Sequence, residues 1–153
     1  VTVSRELAQR AARLGGVAHL TAVRLRRCTF ELLDPSPEGP FSADVGLRLH
    51  WHGDGAMAVY FLDVEVDGTA VGGELFLRSE VSFVIAYELP GDQEFEDGDF
   101  EAFGNITAAF TGFPYVRELI HSLTARAGIA GLQLDVLRFP LEAVAIDDAD
   151  GSP

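Results

Sequence analysis

His50, Trp51 and His52 set two imidazoles on one face of an extended segment, about 7 Å apart at strand rise. Such a pair is half of a metal site, and the spacing locates no third ligand. An exposed polar face accounts for it without chemistry. His19 and His121 are isolated, and His121 follows Arg117 by four on a helical surface, a spacing that implies no reaction. Cys28 is the lone cysteine, so neither an internal disulfide nor a multi-cysteine zinc site can form. Arg24 and Arg26, read on the same strand face as Cys28, would lower its pKa, but no base accompanies it and it reads as a half-buried strand residue. Acids are plentiful, yet no spacing singles out a general acid and base. There is no glycine-rich phosphate loop, nucleophile elbow or HExxH motif. The sequence therefore points to no catalytic residue, no metal and no cofactor, and to a protein that is not an enzyme. The alternative is a small-ligand-binding α+β domain or enzyme with an enclosed pocket, for which His50, His52, Asp63 and Glu65 are the candidates.

Charge narrows the partners. The net charge is -13, which argues against nucleic acid, because phosphate contacts dominate that affinity. It favours basic or unfolded cationic partners. The charge is also segregated. Residues 1 to 27 hold Arg5, Arg10, Arg13, Arg24, Arg26 and Arg27 against Glu6 alone, whereas Arg78 is the sole basic residue between 63 and 101. At 48% hydrophobic, the 153-residue chain can bury one core and still leave apolar surface for a subunit or a client. No apolar run approaches the roughly 20 residues of a membrane span. Gln9, Arg10 and Arg13 interrupt Leu7 to Leu14, unlike a signal-peptide core, so a cytoplasmic location is expected.

The elements that must position these residues are legible in period. Leu7, Ala11 and Leu14 predict an amphipathic helix over Ser4 to Leu14, ended by Gly15-Gly16. Val17 to Leu33 reads as a strand whose apolar residues fall on both parities: Leu20, Ala22, Cys28, Phe30 and Leu32 on one, Val23, Leu25 and Thr29 on the other. The proline-rich run from Asp34 to Pro40 is a crossing loop rather than a hairpin turn. Strands follow over Asp44 to His52, Ala58 to Asp67 and Thr69 to Leu89, with a two-residue hairpin expected at Asp67-Gly68 and bends at Gly72-Gly73 and Ser79-Glu80. Asp99 is expected to cap a helix to about Phe110, Gly112 to break it, and Pro114 to open a second helix that ends at Gly128. The fold class is α+β: a four-stranded antiparallel meander with helices packed on one face. Three segments are expected, namely an N-terminal amphipathic helix over 1–16, the α+β domain over 17–146 and a disordered acidic tail over 147–153.

Phe113-Pro114-Tyr115-Val116-Arg117-Glu118, opening a helix that closes at Gly128 and leads into Leu132-Gln133-Leu134-Asp135, resembles the SecB family of export chaperones. Thr29-Phe30-Glu31 ahead of a proline loop, and Phe41 before the Val45-x-Leu47-x-Leu49 alternation, fit the same pattern. The resemblance implies a holdase that binds unfolded or partly folded polypeptide without ATP. The client-binding groove would be lined by Phe41, Val45, Leu47 and Leu49. It further implies a homo-tetramer, a dimer of dimers, with Tyr115, Arg117 and Glu118 at the oligomer interface. Glu31 and Glu74 fall where family members dock the SecA motor ATPase, but Arg27 stands where a further acid is expected. The terminal helix after the L-x-L loop is nearly absent. Shortened relatives of this kind include chaperones dedicated to a toxin–antitoxin pair, whose client is the antitoxin.

Overall fold

The computed structural model describes residues 4–129 and 132–135, and the backbone of 143–145. The acidic tail expected over 147–153 lies outside the described residues. Helix α1 spans Arg5–Gly15; the Ser4 side chain accepts from the Leu7 N–H (3.1 Å) and satisfies one of the orphan donors of the first turn. Four long strands follow: β1 (His19–Leu32), β2 (Ser42–Gly53), β3 (Met57–Thr69) and β4 (Leu75–Glu88). Helix α2 (Asp97–Phe103) runs through a π-turn (Gly104–Ala108) into α3 (Ala109–Arg126), and a short β5 (Ala143–Ala145) completes the sheet.

Sheet order is β1-β4-β3-β2-β5. The meander covers β2 to β4, and the proline loop carries the chain across the sheet so that β1 pairs antiparallel with β4. The helices pack on one face, where Leu49, Trp51, Tyr60, Leu62, Val64, Val81, Phe83 and Ile85 meet Phe100, Phe103, Phe113, Val116 and Ile120. The other face is polar, with Arg48 paired to Glu65 (3.7 Å) and Arg78 to Asp67 (3.2 Å).

Six local expectations are corrected. The two-sided apolar pattern of β1 comes from register shifts between Leu20 and Ala22 and between Leu25 and Arg27. Each bulge inverts parity, so Leu20, Val23, Leu25, Cys28, Phe30 and Leu32 all fall opposite helix-side residues of β4. The β3–β4 turn is not at Asp67-Gly68. Gly68 lies within β3, where a Cβ would come within 3.0 Å of the Phe76 ring, and the chain reverses at Ala70–Glu74, where Gly72 and Gly73 have φ of 91° and 84°. Ser79-Glu80 makes no bend, since the β3–β4 register runs unshifted through it.

At the helices, Glu96 rather than Asp99 is the N-cap of α2. Asp99 sits three residues on and accepts from the Glu96 N–H (3.1 Å), closing a capping box. Gly112 does not break the helix. It lies on the buried stripe of α3, where a Cβ would overlap the Ile85 Cδ1 methyl and sit 3.1 Å from Leu62 Cδ2. A residue without a side chain lets the helix lie close on the sheet, and that packing outweighs glycine's helix cost of about 1 kcal/mol. Pro114 is consequently an interior residue of α3. Gly112→Val is expected to cost about 3 kcal/mol through overpacking, read as a lower urea midpoint.

Helix α1 docks on α2 through charge as well as Leu14. Arg13 contacts the fully buried Asp99 carboxylate at 3.0 Å, and Arg10 reaches Glu96 at 3.2 Å. Asp99→Ala removes both its capping-box hydrogen bond and this ion pair, and about 2 kcal/mol of stability is expected to go with them in urea unfolding.

Candidate functional site

The residues with chemical potential do not converge. His50 Nε2 lies 3.6 Å from Asp63 Oδ2 on the polar face of the sheet, and both side chains are about one-third exposed. Among the described residues no group of three His, Cys, Asp or Glu could hold a metal ion. An open depression of about 170 Å³ on that face is lined by Arg27, Arg48, Asp63, Glu65 and Glu80, charges that largely answer one another. The arginines do not activate Cys28 in the way their spacing predicts. The Arg26 guanidinium reaches over the Phe61 ring (4.9 Å to its centroid), and partial burial pushes the Cys28 thiol up, away from thiolate. The Tyr60 hydroxyl, also raised by burial, donates to the Phe100 carbonyl at 2.8 Å and ties β3 to α2.

Apolar surface is the distinctive property. Phe41 emerges from the crossing loop and packs on Phe76 (ring centroids 4.9 Å apart). Val45 and Leu47 follow on the helix side of β2, half-buried, while Leu49 is 2% exposed beneath Gly104. The structure thus brings Phe41, Val45 and Leu47 to the rim of the core and Leu49 into it. Leu132 and Leu134 are buried in the same core, and the Arg117 Nε donates to the Leu134 carbonyl at 3.0 Å. That hydrogen bond ties the segment after α3 to the helix. It gives Arg117 a partner within the chain, whereas Glu118 is exposed.

A second apolar surface was not legible as such. Leu20 and Leu25 on β1 are 48% and 49% exposed, and Tyr115 on α3 is 48% exposed. Leu25 is opposite Phe83 in register, and the Phe83 ring lies 6.0 Å from that of Tyr115. The exposed Leu25 and Tyr115 thus flank the buried Phe83, one on the sheet edge and one on the helix. The hidden signal was the pair of bulges, which no residue type announces. Glu31 and Glu74 are both exposed; Glu31 is on β1 opposite Arg78, and Glu74 is in the β3–β4 turn.

No family model matches the sequence, and no curated protein matches it. Among solved structures, the fold matches a SecB-like chaperone, Rv1957 of Mycobacterium tuberculosis, in complex with a ChAD peptide from the Rv1956 HigA1 antitoxin. The TM-score is 0.77 over 88% of this chain and 100% of the other, at 19% identity. The fold is SecB-like. The α+β SecB-like architecture explains why the proline loop crosses the sheet rather than turning, and why Phe113 and Val116 of the F-P-Y segment, inside α3, are buried against it. Among the described residues no helix is long and apolar enough to cross a membrane.

Proposed function

We propose that this SecB-like chain is an ATP-independent holdase that keeps a polypeptide client unfolded or partly folded. The observation that carries the reading is the half-covered apolar row Phe41, Val45 and Leu47 at the margin of a core whose interior positions, Leu49 among them, are sealed. Half-burial fixes these side chains in place and leaves area that a client can cover at roughly 25 cal/mol per Å². Each contact is weak, so affinity comes from several sites on several copies. The exposed patch of Leu20, Leu25 and Tyr115 supplies the means of assembly: a second copy covers it, and a dimer of dimers brings the grooves together. In that assembly Tyr115 is buried at the interface, with Arg117 and Glu118 beside it on α3.

The client class favoured is an antitoxin, the partner whose peptide Rv1957 binds. Docking of SecA through Glu31 and Glu74, for protein export, is the lesser branch, because Arg27 faces the same polar side of the sheet beside Glu80. The site of action proposed is the cytoplasm.

The test is suppression of aggregation of a chemically unfolded protein during refolding, without nucleotide and near stoichiometric ratio. Suppression is the expected result. Failure, with failure to bind any antitoxin-derived or permanently unfolded chain, overturns the reading.

A further inference from the structure

The face of the sheet opposite the helices differs at its two ends. At one end Asp44 lies opposite Asp67, Glu65 opposite Glu80, and Glu31 opposite Arg78. Arg48 and Arg78 answer Glu65 and Asp67, so this end is net acidic. At the other end the register sets one row of Arg24, Val84, Phe61 and His50 across four strands, about 14 Å, with Val59 and His52 in the next row. Neither of these two rows holds a carboxylate, and Val59, Phe61 and Val84 form a half-buried apolar floor. Arg26 reaches from β1 across β4 and holds its guanidinium over the Phe61 ring, 4.9 Å from the centroid. A guanidinium held over a ring still presents its fork of N–H donors to a carboxylate. Arg24, Arg26 and Arg27 are exposed, and among the described residues none of them is ion-paired, in a chain with 24 acids to 11 bases. Arg10, Arg13, Arg48 and Arg78 each meet a carboxylate. Arginines on an edge strand guard it against pairing, but Arg26 is directed across the face rather than off the edge.

We propose that this end of the outer face docks an acidic segment of a partner protein. Its carboxylates meet Arg24 and Arg26, and one large apolar side chain covers the floor of Val59, Phe61 and Val84. The occupant is therefore a short run of Asp or Glu around an aliphatic or aromatic anchor, the charge opposite to that which the net charge of the chain favours. The acidic rows at the far end confine the segment, because a carboxylate carried beyond Asp63 meets Glu65 and Glu80. The same rows repel a nucleic acid, whose phosphates run on past the basic end. A second copy of this chain does not complete the site. Floor on floor leaves the arginines unanswered, and acidic end on basic end sets the floor against Glu65 and Asp67. The site is on the other side of the sheet from Phe41, Val45 and Leu47, so it can be filled while a client is held. It does not depend on the holdase reading.

The test uses a labelled peptide of about eight residues, long enough to span the basic end, in which a phenylalanine–leucine pair has aspartates on both sides. One comparison peptide replaces the pair by serines, and another replaces the aspartates by lysines. Anisotropy titration is expected to give a Kd below about 1 mM for the parent peptide, rising with salt, and at least about tenfold weaker binding for each comparison peptide. The Arg24→Gln/Arg26→Gln protein, altered only at exposed side chains, is expected to bind the parent peptide about tenfold more weakly and to bind a permanently unfolded protein as the parent protein does. Amide NMR signals of Val59, Phe61 and Val84 should shift with the peptide, and those of Val45 and Leu47 should not. No binding at millimolar peptide overturns the inference and leaves the arginines as guards of the β1 edge. Equal binding of the lysine peptide, or of the parent peptide to the double variant, overturns it as well. If the variant loses the peptide and the unfolded protein together, there is one site and not two, and the inference falls.

Discussion

Leu47→Asp is expected to lower affinity for a permanently unfolded protein about a hundredfold while leaving the circular dichroism spectrum unchanged. Leu47 is half-buried on β2, so its side chain contributes to the fold on one side and presents area to a client on the other. Covering the remaining apolar area gives about 1 kcal/mol, and a carboxylate placed there must be desolvated when the client arrives, which adds a similar or larger cost. Together these reach the roughly 2.7 kcal/mol that a hundredfold change requires. The free protein bears less of that burden, because the carboxylate can turn to water before the client binds. Leu49→Ala is the control. Leu49 is 2% exposed and its Cδ2 lies where a Cβ on Gly104 would approach at 3.0 Å, so truncation leaves a cavity and costs about 3 kcal/mol of stability. Client affinity of the Leu49→Ala protein that remains folded should stay within a few-fold of the parent. Titration by fluorescence anisotropy beside urea unfolding separates the two. If Leu47→Asp binds as tightly as the parent, the groove does not run along β2.

The contrast between Leu47 and Leu49 marks how far the sequence could be read. Alternation put Val45, Leu47 and Leu49 on one face correctly, since period 2 is a property of the backbone. It could not say which of the three is covered. That depends on where the π-turn at Gly104 meets β2, a contact between residues distant in sequence. The same limit explains Gly112. Locally a glycine weakens a helix; here the missing side chain is what brings α3 down on Ile85 and Leu62. The crossing loop was legible because prolines between Asp34 and Pro40 exclude a tight hairpin. At Asp67-Gly68 the hairpin signal misled, because Gly68 answers a close approach by Phe76 and the positive φ values belong to Gly72 and Gly73. The bulges of β1 hid the most consequential feature: read as an uninterrupted strand, β1 has apolar residues on both faces, and with two parity inversions it has one exposed apolar row.

That row sets the second large effect. Joint replacement of Leu25 and Tyr115 by arginine is expected to dissociate the proposed assembly to smaller species at micromolar concentration. Both side chains are close to half-exposed in the single chain and are bridged by Phe83, so each is available to a second copy without rearrangement of the core. A two-fold interface uses each position twice, so two substitutions alter four side chains. At about 1.5 kcal/mol per buried apolar side chain, the loss is near 6 kcal/mol, on the order of 10⁴-fold in the dissociation constant. The like charges introduced across the two-fold axis act in the same direction. Sedimentation velocity reads the change in size, and circular dichroism checks that the fold persists. Client binding should weaken as well, because avidity among grooves is lost even though Phe41, Val45 and Leu47 are untouched. A parent protein that sediments as a monomer at high micromolar concentration would overturn the assembly. A variant that remains fully assembled would move the interface elsewhere on the surface. If instead the variant dissociates yet binds the unfolded protein as tightly as the parent, each groove suffices alone, and affinity must come from within one chain.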